Sequence, residues 1–308
     1  MPSDAELKKL TRLYNQGRFD AALKFGTSLL DYNPDDASLN NMVGVLCARL
    51  DRLDDAVAHY DRALSLRDGY AEAYNNRGNA LVCQEKLDQA IDSFRKAIAV
   101  MPQYAAAHNG LCNALHLAGK PAEAAASAQA ALRLQPNYAE AHNNFGNALL
   151  DLGRPNEAAQ AFSMALRLQP GLVQANAGLG KALNALGYHR QAAECLRKGL
   201  EARPDSATWH NELGNALSDQ NRVEEAEAQY RRALDLEPEF AEAHSNLAIA
   251  LADLGRFDEA RSRYETALRL KPGFCEAHYN LSAIKTYTLE DEQVDAMRRL
   301  ESDSNLGD

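Results

Sequence analysis

The chain of 308 residues carries a formal net charge of −10 at pH 7, and its hydrophobic fraction of 46% is ordinary for a globular protein. This acidic balance argues against general binding to nucleic acid or to anionic membranes, because both require clustered Lys and Arg. No apolar run approaches the roughly 18 residues that span a bilayer. The five cysteines are too widely spaced for a disulfide framework, so we expect a cytoplasmic protein.

The predicted elements begin with a helix whose first turn is marked by Ser3 and Glu6, a pair that matches the capping-box pattern. Further along the chain, prolines recur on a lattice of 34 residues, with one empty lattice point at Asp68. These prolines are Pro34, Pro102, Pro136, Pro170, Pro204, Pro238 and Pro272. With each proline at position 32 of a repeat, the chain divides without gaps into eight repeats. The first helix of a ninth repeat follows at 275–287. The eight repeats are 3–36, 37–70, 71–104, 105–138, 139–172, 173–206, 207–240 and 241–274.

Certain residue types recur at fixed positions inside these repeats. Position 20 is Ala in all eight repeats, position 8 is small from the second repeat on, and position 15 is often Gly. Small residues allow two helices to approach closely where they cross, and Gly suits a left-handed residue at the end of a helix. We therefore predict that each repeat is a pair of helices, which buries its apolar side by stacking on the next pair.

Two segments show the pattern in full, A-H-N-N-F-G-N-A-L at 141–149 and E-A-A-Q-A-F-S-M-A-L-R-L-Q-P at 157–170. Together with the period, they resemble the tetratricopeptide repeat family, and the resemblance covers residues 3 to about 287. It implies an all-α fold, a right-handed superhelical α-solenoid of helix-turn-helix units. It also implies that the first helices line a concave groove and that the protein is an interaction scaffold.

Asparagines are concentrated at the positions that face the groove in that family. Positions 5, 6 and 9 hold thirteen of the chain's 22 asparagines, and amides suit an extended peptide because they both donate and accept hydrogen bonds. The position-6 column also resembles the asparagine ladder of O-linked N-acetylglucosamine transferase, although Met42, Gly110, Gly178 and Glu212 interrupt it. The alternative is that these amides only bond neighbouring helices. The predicted groove residues are Asn75, Asn76, Asn79, Asn109, Asn113, Asn143, Asn144, Asn147, Lys181, Asn211, Asn215, Asn246 and Asn280.

The remaining groove positions favour a neutral to basic protein or peptide ligand, because positions 2 and 13 are often acidic. Position 4 carries five histidines, but successive helices lie about 8–10 Å apart, which is too far for them to share a zinc ion. We therefore interpret this column as packing residues and predict no metal site. No phosphate-binding loop or nucleophile–base set is visible, so we predict neither a cofactor nor catalytic residues.

The last predicted elements are a short capping helix at 288–301 and a disordered tail at 302–308. Residues 277–287 and 291–297 resemble the junction at which bacterial repeat-containing sulfotransferases lead into their catalytic domain. An alternative function is therefore the substrate-recruiting region of a larger transferase, whose catalytic domain is absent from this sequence. Self-association is a third alternative, because several groove positions near the two ends are apolar, namely Leu7, Met42, Val45, Tyr279 and Tyr287.

Overall fold

A computed structural model describes residues 2–284, and within that range the chain forms seventeen α-helices and no strand. The chain divides into two compact units, one ending at Pro170 and the other beginning at Gly171. In both units consecutive helices pack as pairs, so the fold is an all-α solenoid. The predictions for residues 285–287, for a capping helix at 288–301 and for a tail at 302–308 lie outside the described residues.

The first unit consists of five helix pairs, and the second helices of its first four pairs also pack against the first helix of the next pair. The predicted capping box is confirmed at its start, where the Ser3 hydroxyl accepts from the Glu6 N–H and the Glu6 carboxylate accepts from the Ser3 N–H at 2.8 Å. The helices of this unit are α1 Asp4–Asn15, α2 Phe19–Leu30, α3 Ala37–Arg49, α4 Leu53–Leu66, α5 Ala71–Cys83, α6 Leu87–Val100, α7 Ala105–Leu117, α8 Pro121–Leu134, α9 Ala139–Asp151 and α10 Pro155–Leu168.

The second unit repeats the same arrangement with three helix pairs and one further first helix. Its core contains the small residues of position 20 and larger side chains such as Leu196 and Tyr230. The helices of this unit are α11 Val173–Ala185, α12 His189–Ala202, α13 Ala207–Ser218, α14 Val223–Leu236, α15 Ala241–Asp253, α16 Phe257–Leu270 and α17 Cys275–Ile284.

In most repeats close packing depends on a small residue at position 8 and a large one at position 24, although the fourth repeat has the small Ala128 at position 24. A Cβ atom added to Gly78 would lie 2.8 Å from the ring of Phe94, so only a small residue leaves room for that ring. The first repeat exchanges these roles, with Leu10 in the first helix and Gly26 in the second. Both Leu10 and Phe94 are fully buried, so either arrangement fills the space between the paired helices.

The turn between the paired helices has the same backbone conformation in all eight repeats. At position 15, the five glycines have φ angles from 67° to 81°, as their type predicts. Asp51, Glu85 and Asn221 occupy the same position in the other three repeats, with φ angles of 58°, 59° and 58°. The packing of the helices therefore imposes the left-handed turn even where the residue type does not favour it.

Candidate functional site

The candidate site is the side of each unit that is formed by the first helices. In the first unit α3 contacts α5, α5 contacts α7 and α7 contacts α9, whereas the second helices pack mainly against first helices. The first helices therefore lie on the inner side of the stacked pairs. We call the surface that their positions 6 and 9 present the amide face.

The first amide pair on this face joins α3 to α5. The Asn76 Nδ2 donates to the Asn41 Oδ1 at 3.1 Å, and the Asn41 Nδ2 donates to the Tyr70 hydroxyl at 3.3 Å. No hydrogen bond to the Asn76 Oδ1 is formed among the described residues. This pair thus uses one donor of Asn76 and leaves its acceptor available.

A second amide pair has the same geometry between α7 and α9. The Asn144 Nδ2 donates to the Asn109 Oδ1 at 2.9 Å, and the Asn109 Nδ2 donates to the Tyr138 hydroxyl at 3.4 Å. The tyrosine hydroxyls were not predicted from the sequence. The recurrence of Tyr at position 34, in Tyr70, Tyr104 and Tyr138, is the signal that could have indicated them.

A third amide pair lies in the second unit, between α13 and α15. The Asn246 Nδ2 is 3.0 Å from both the Asn211 Oδ1 and the Asn215 Oδ1. The Tyr230 hydroxyl also donates to the Asn215 Oδ1, at 2.9 Å. Each of the three cross-helix pairs therefore joins position 5 of one repeat to position 6 of the next.

Exposure divides the predicted residues into two groups. Asn75, Asn143 and Asn211, at position 5, are 6%, 8% and 5% exposed, so they lie between helices. The position-9 residues Asn79, Asn113 and Asn147 are exposed or half-buried and form no side-chain hydrogen bond with the described residues. Of the other predicted residues, Lys181 is exposed and Asn280 is half-buried. The open part of the amide face therefore consists of positions 6 and 9.

The interruption of the ladder at Gly110 has a steric cause. A Cβ atom at Gly110 would overlap the ring of Phe94, which packs from the second helix of the preceding repeat. Gly110 consequently offers no amide to the preceding position-5 residue, and the buried Asn75 Oδ1 has no hydrogen-bond partner among the described residues.

The interruption at Glu212 replaces an amide with a carboxylate. Burial raises the pKa of Glu212, and the positive charge of Lys181 opposes this rise only in part. The Lys181 Nζ lies 3.9 Å from the Glu212 Oε1, at the limit of an ion pair. This part of the second unit thus presents a loosely compensated negative charge where the other repeats present an amide.

The position-4 histidines each donate a hydrogen bond to the backbone within the repeat array rather than pointing onto the amide face. In His108, His142, His210, His244 and His278, the Nε2 atom lies 2.9–3.0 Å from the carbonyl oxygen of the proline six residues earlier. Asn40 makes the same bond to the Pro34 carbonyl in the second repeat, at 3.0 Å. Within residues 2–284 no group of three metal-ligating side chains is formed.

Several acidic residues near the face already have partners. Asp151 lies 2.7 Å from the His116 Nδ1, and Glu242 lies 2.7 Å from the Lys271 Nζ. Asp219 accepts a hydrogen bond from the Asn184 Nδ2 at 3.1 Å. By contrast, Glu72 and Glu140 at position 2 are exposed and form no ion pair with the described residues.

An apolar hollow opens on the same side at the first two repeats. It has a volume of about 530 Å³ and is lined by Leu7, Thr11, Tyr14, Ser38, Leu39, Asn41, Met42, Val45 and Tyr70. A neighbouring hollow of about 350 Å³ shares Val45 and includes Arg49, Asn76 and Asn79. Leu7, Met42 and Val45, which stand out in the sequence as apolar groove residues, form one concave surface with the first amide pair.

Two family models match the chain, and both describe the tetratricopeptide repeat. One matches residues 35–103, and the other matches residues 75–139, 118–173, 143–207, 177–239 and 211–274. The chain therefore belongs to the tetratricopeptide repeat family.

Solved structures of low sequence identity share this fold. A chain of the APC/C hetero-tetramer Cut9–Hcn1 matches 92% of this chain with a TM-score of 0.73 and 18% identity, and this chain spans 56% of its length. PilF from Pseudomonas aeruginosa matches 70% of this chain, over 97% of its own length, with a TM-score of 0.59 and 24% identity. At these identities the likeness supports the fold alone. Comparison with curated proteins gave no match.

The family and the paired helices define a protein-interaction scaffold. Tetratricopeptide repeat proteins bind protein or peptide partners and are generally non-catalytic. In the part of the chain that the structure describes, no helix has both the length and the apolar character needed to cross a membrane.

Proposed function

We propose that the protein binds an extended peptide segment of a partner protein along the amide face. The observation that carries this proposal is the state of Asn79, Asn113 and Asn147, whose side chains have no hydrogen-bond partner among the described residues. Asn costs up to about 0.7 kcal/mol relative to Ala in a helix interior. Three such residues at one position, with no internal partner to offset that cost, favour contact with a ligand.

The alternative role of the asparagines, bonding between helices, accounts for only part of the column. The pairs at positions 5 and 6 do bond neighbouring first helices, through one donor of each position-6 residue. The position-9 residues Asn79, Asn113 and Asn147 remain open, as does the Asn76 acceptor, and main-chain N–H and C=O groups of an extended peptide would match them. We therefore assign support of the face to Asn41, Asn109 and Asn211, which accept these bonds, and ligand contact to the open amides of positions 6 and 9.

The charges near the face favour a ligand that is neutral to basic over most of its length. Glu72 and Glu140 are exposed carboxylates on first helices, and Glu212 is only loosely compensated by Lys181. A cationic ligand side chain near Glu212 would reduce the cost of holding that carboxylate away from water. The other function, the recruiting region of a transferase, depends on sequence outside the described residues and stays a prediction.

A library of random dodecapeptides displayed on phage tests the proposal. The library is selected on the wild-type chain and on the triple variant Asn79→Ala, Asn113→Ala, Asn147→Ala. We expect wild type to enrich a family of peptides that the triple variant binds at least tenfold more weakly. The triple variant should also melt at a temperature no lower than wild type, because Ala is the better helix former.

The matched control removes three amides from exposed positions of second helices. The variant Gln89→Ala, Gln129→Ala, Gln160→Ala should bind the selected peptides as wild type does. Equal binding by wild type and by the position-9 variant would show that these asparagines contact no ligand. Failure of wild type to enrich any peptide would contradict peptide binding itself.

A further inference from the structure

The apolar hollow at the first two repeats differs from the rest of the amide face in both chemistry and depth. Its walls are the side chains of Leu7, Tyr14, Met42 and Val45, and its volume of about 530 Å³ is in the range of sites that enclose a small ligand. Leu7 remains 38% exposed. The space can therefore enclose one large aliphatic or aromatic side chain, which would cover apolar surface that water now contacts.

The rim of this hollow is positively charged. The Arg49 Nε donates to the Tyr14 hydroxyl at 3.3 Å, which holds the guanidinium at the edge of the hollow. Arg12 lines the adjoining surface together with Leu7 and Thr11. Neither arginine forms an ion pair with the described residues, and the one carboxylate lining that surface, Asp4, is bonded to Lys8 at 2.5 Å.

The hollow is also continuous with the first amide pair. Asn41 forms part of its wall, and Val45 lies between it and the second hollow, which contains Arg49 and Asn76. An extended segment that runs along the amide face would pass directly over the apolar space and beside Arg49. Both hollows are open along this path, which suits an internal segment of a chain.

We propose that the first two repeats select the sequence of the ligand, by binding a large apolar side chain that has an acidic residue next to it. The apolar side chain enters the hollow, and the carboxylate accepts hydrogen bonds from Arg49, a pairing that guanidinium geometry favours. The inference rests on the proposed function, since it concerns the same peptide. It adds an anchor of defined chemistry to a face that otherwise contacts main chain.

The test uses the same displayed library on the full chain and on three variants. Arg49→Glu reverses the charge at the rim. Leu7→Gln with Met42→Gln makes the walls polar while keeping side chains of similar length. Lys24→Glu is the matched control, because Lys24 is exposed on the second helix of the first repeat and forms no ion pair with the described residues.

We expect the wild type and the Lys24→Glu control to enrich peptides in which Leu, Ile, Met or Phe adjoins Asp or Glu. A synthetic peptide of that sequence should bind Arg49→Glu about tenfold more weakly, which is the loss expected when a charge-assisted hydrogen bond is removed. The same peptide with its acidic residue changed to Lys should recover binding to Arg49→Glu. The Leu7→Gln, Met42→Gln variant should select peptides without a preferred apolar residue.

Unchanged peptide preference in Arg49→Glu would overturn the inference while leaving the proposed function intact. The same holds if wild type enriches peptides that lack an apolar residue beside an acid. Wild type that enriches no peptide contradicts the proposed function and the inference together. The competing occupant of the hollow is a second copy of the chain, and light scattering at several concentrations tests for it. Self-association that the Leu7→Gln, Met42→Gln change abolishes would identify that second copy as the occupant and overturn the inference. Arg49 is exposed, so its variant is informative even if the double variant folds poorly.

Discussion

At the scale of single residues, the turn at position 15 shows that helix packing can impose a backbone conformation that the residue itself does not favour. Glu85 is exposed and forms no side-chain hydrogen bond with the described residues, yet its φ angle is 59°. For an L-residue with a Cβ, the left-handed region costs about 1–2 kcal/mol, whereas glycine adopts it freely. Glu85 therefore lowers the stability of its own repeat.

Replacement of Glu85 by Gly should raise the free energy of unfolding by about 1 kcal/mol, because it removes this strain. Chemical denaturation followed by circular dichroism measures the change. Glu85→Ala, which keeps the Cβ, should give no comparable gain. A gain of the same size in the alanine variant would assign the effect to the lost charge.

At Gly110 a change of residue should instead lower stability, because the absence of a side chain there leaves room for the ring of Phe94 on a neighbouring helix. Gly110→Ala should lower the free energy of unfolding by about 2 kcal/mol, since its Cβ overlaps the buried ring of Phe94. In a Phe94→Leu background the same substitution should cost much less. Additive losses in a double-mutant cycle would contradict direct overlap.

The sequence showed that Gly110 interrupts the ladder, but it did not show the reason, because the cause is a ring on a different helix.

At the scale of the helix pair, the sequence predicted the pairing and the packing residues, but not the hydrogen bonds of position 4. Period and residue size indicate which side chains are buried, so the small residue opposite Phe94 was predicted. The bond from His244 to the Pro238 carbonyl depends on how the loop orients that carbonyl, which periodicity does not encode. The Tyr70 hydroxyl, at the end of an amide pair, was not predicted for the same reason.

The histidine bond predicts a dependence of stability on pH. Burial lowers the pKa of His244 from its ordinary value of 6.5, with a smaller opposing effect from the hydrogen bond to Pro238. Below pH 6.5 the unfolded chain therefore binds a proton more readily than the folded chain, and stability falls as the pH decreases. We expect wild type to lose stability between pH 7 and pH 5.

Changing His244 to Asn should reduce that loss while preserving the bond. Asn40 already bonds a proline carbonyl at this position in the second repeat, at 3.0 Å. Denaturation at several pH values provides the measurement, and the remaining dependence should come in part from His59, whose pKa is also lowered by burial. An identical pH profile in the variant would show that His244 does not titrate differently on folding.

At the scale of the whole molecule, nearest-neighbour packing makes the completed helix pair the unit of stability. Residues 1–170 contain five complete pairs and form a compact unit by themselves. Expressed alone, they should fold into a helical protein with a cooperative thermal transition. This expectation follows from contacts inside the unit and involves none with the second.

A shorter fragment provides the control. Ending the chain at Gly153 removes α10, and with it the Phe162 ring that packs against Gly146. The fragment 1–153 should therefore melt at a lower temperature than 1–170, by several degrees at least, because the apolar side of α9 is uncovered. Calorimetry compares the two fragments. Equal transition temperatures would mean that α9 is stable without its partner helix.

The exchange between Leu10 and Gly26 limits how an array of this kind can change during evolution. Interior repeats with a small residue on the first helix and a bulky one on the second are interchangeable, so unequal recombination can add or remove one without creating a mismatch. The repeat that contains Leu10 and Gly26 does not fit this pattern, because its bulky residue comes from the first helix and its Gly26 leaves room for Val43 of the next repeat. Lineages of such a gene would therefore vary in the number of repeats of the common pattern while keeping a single repeat of the exchanged pattern.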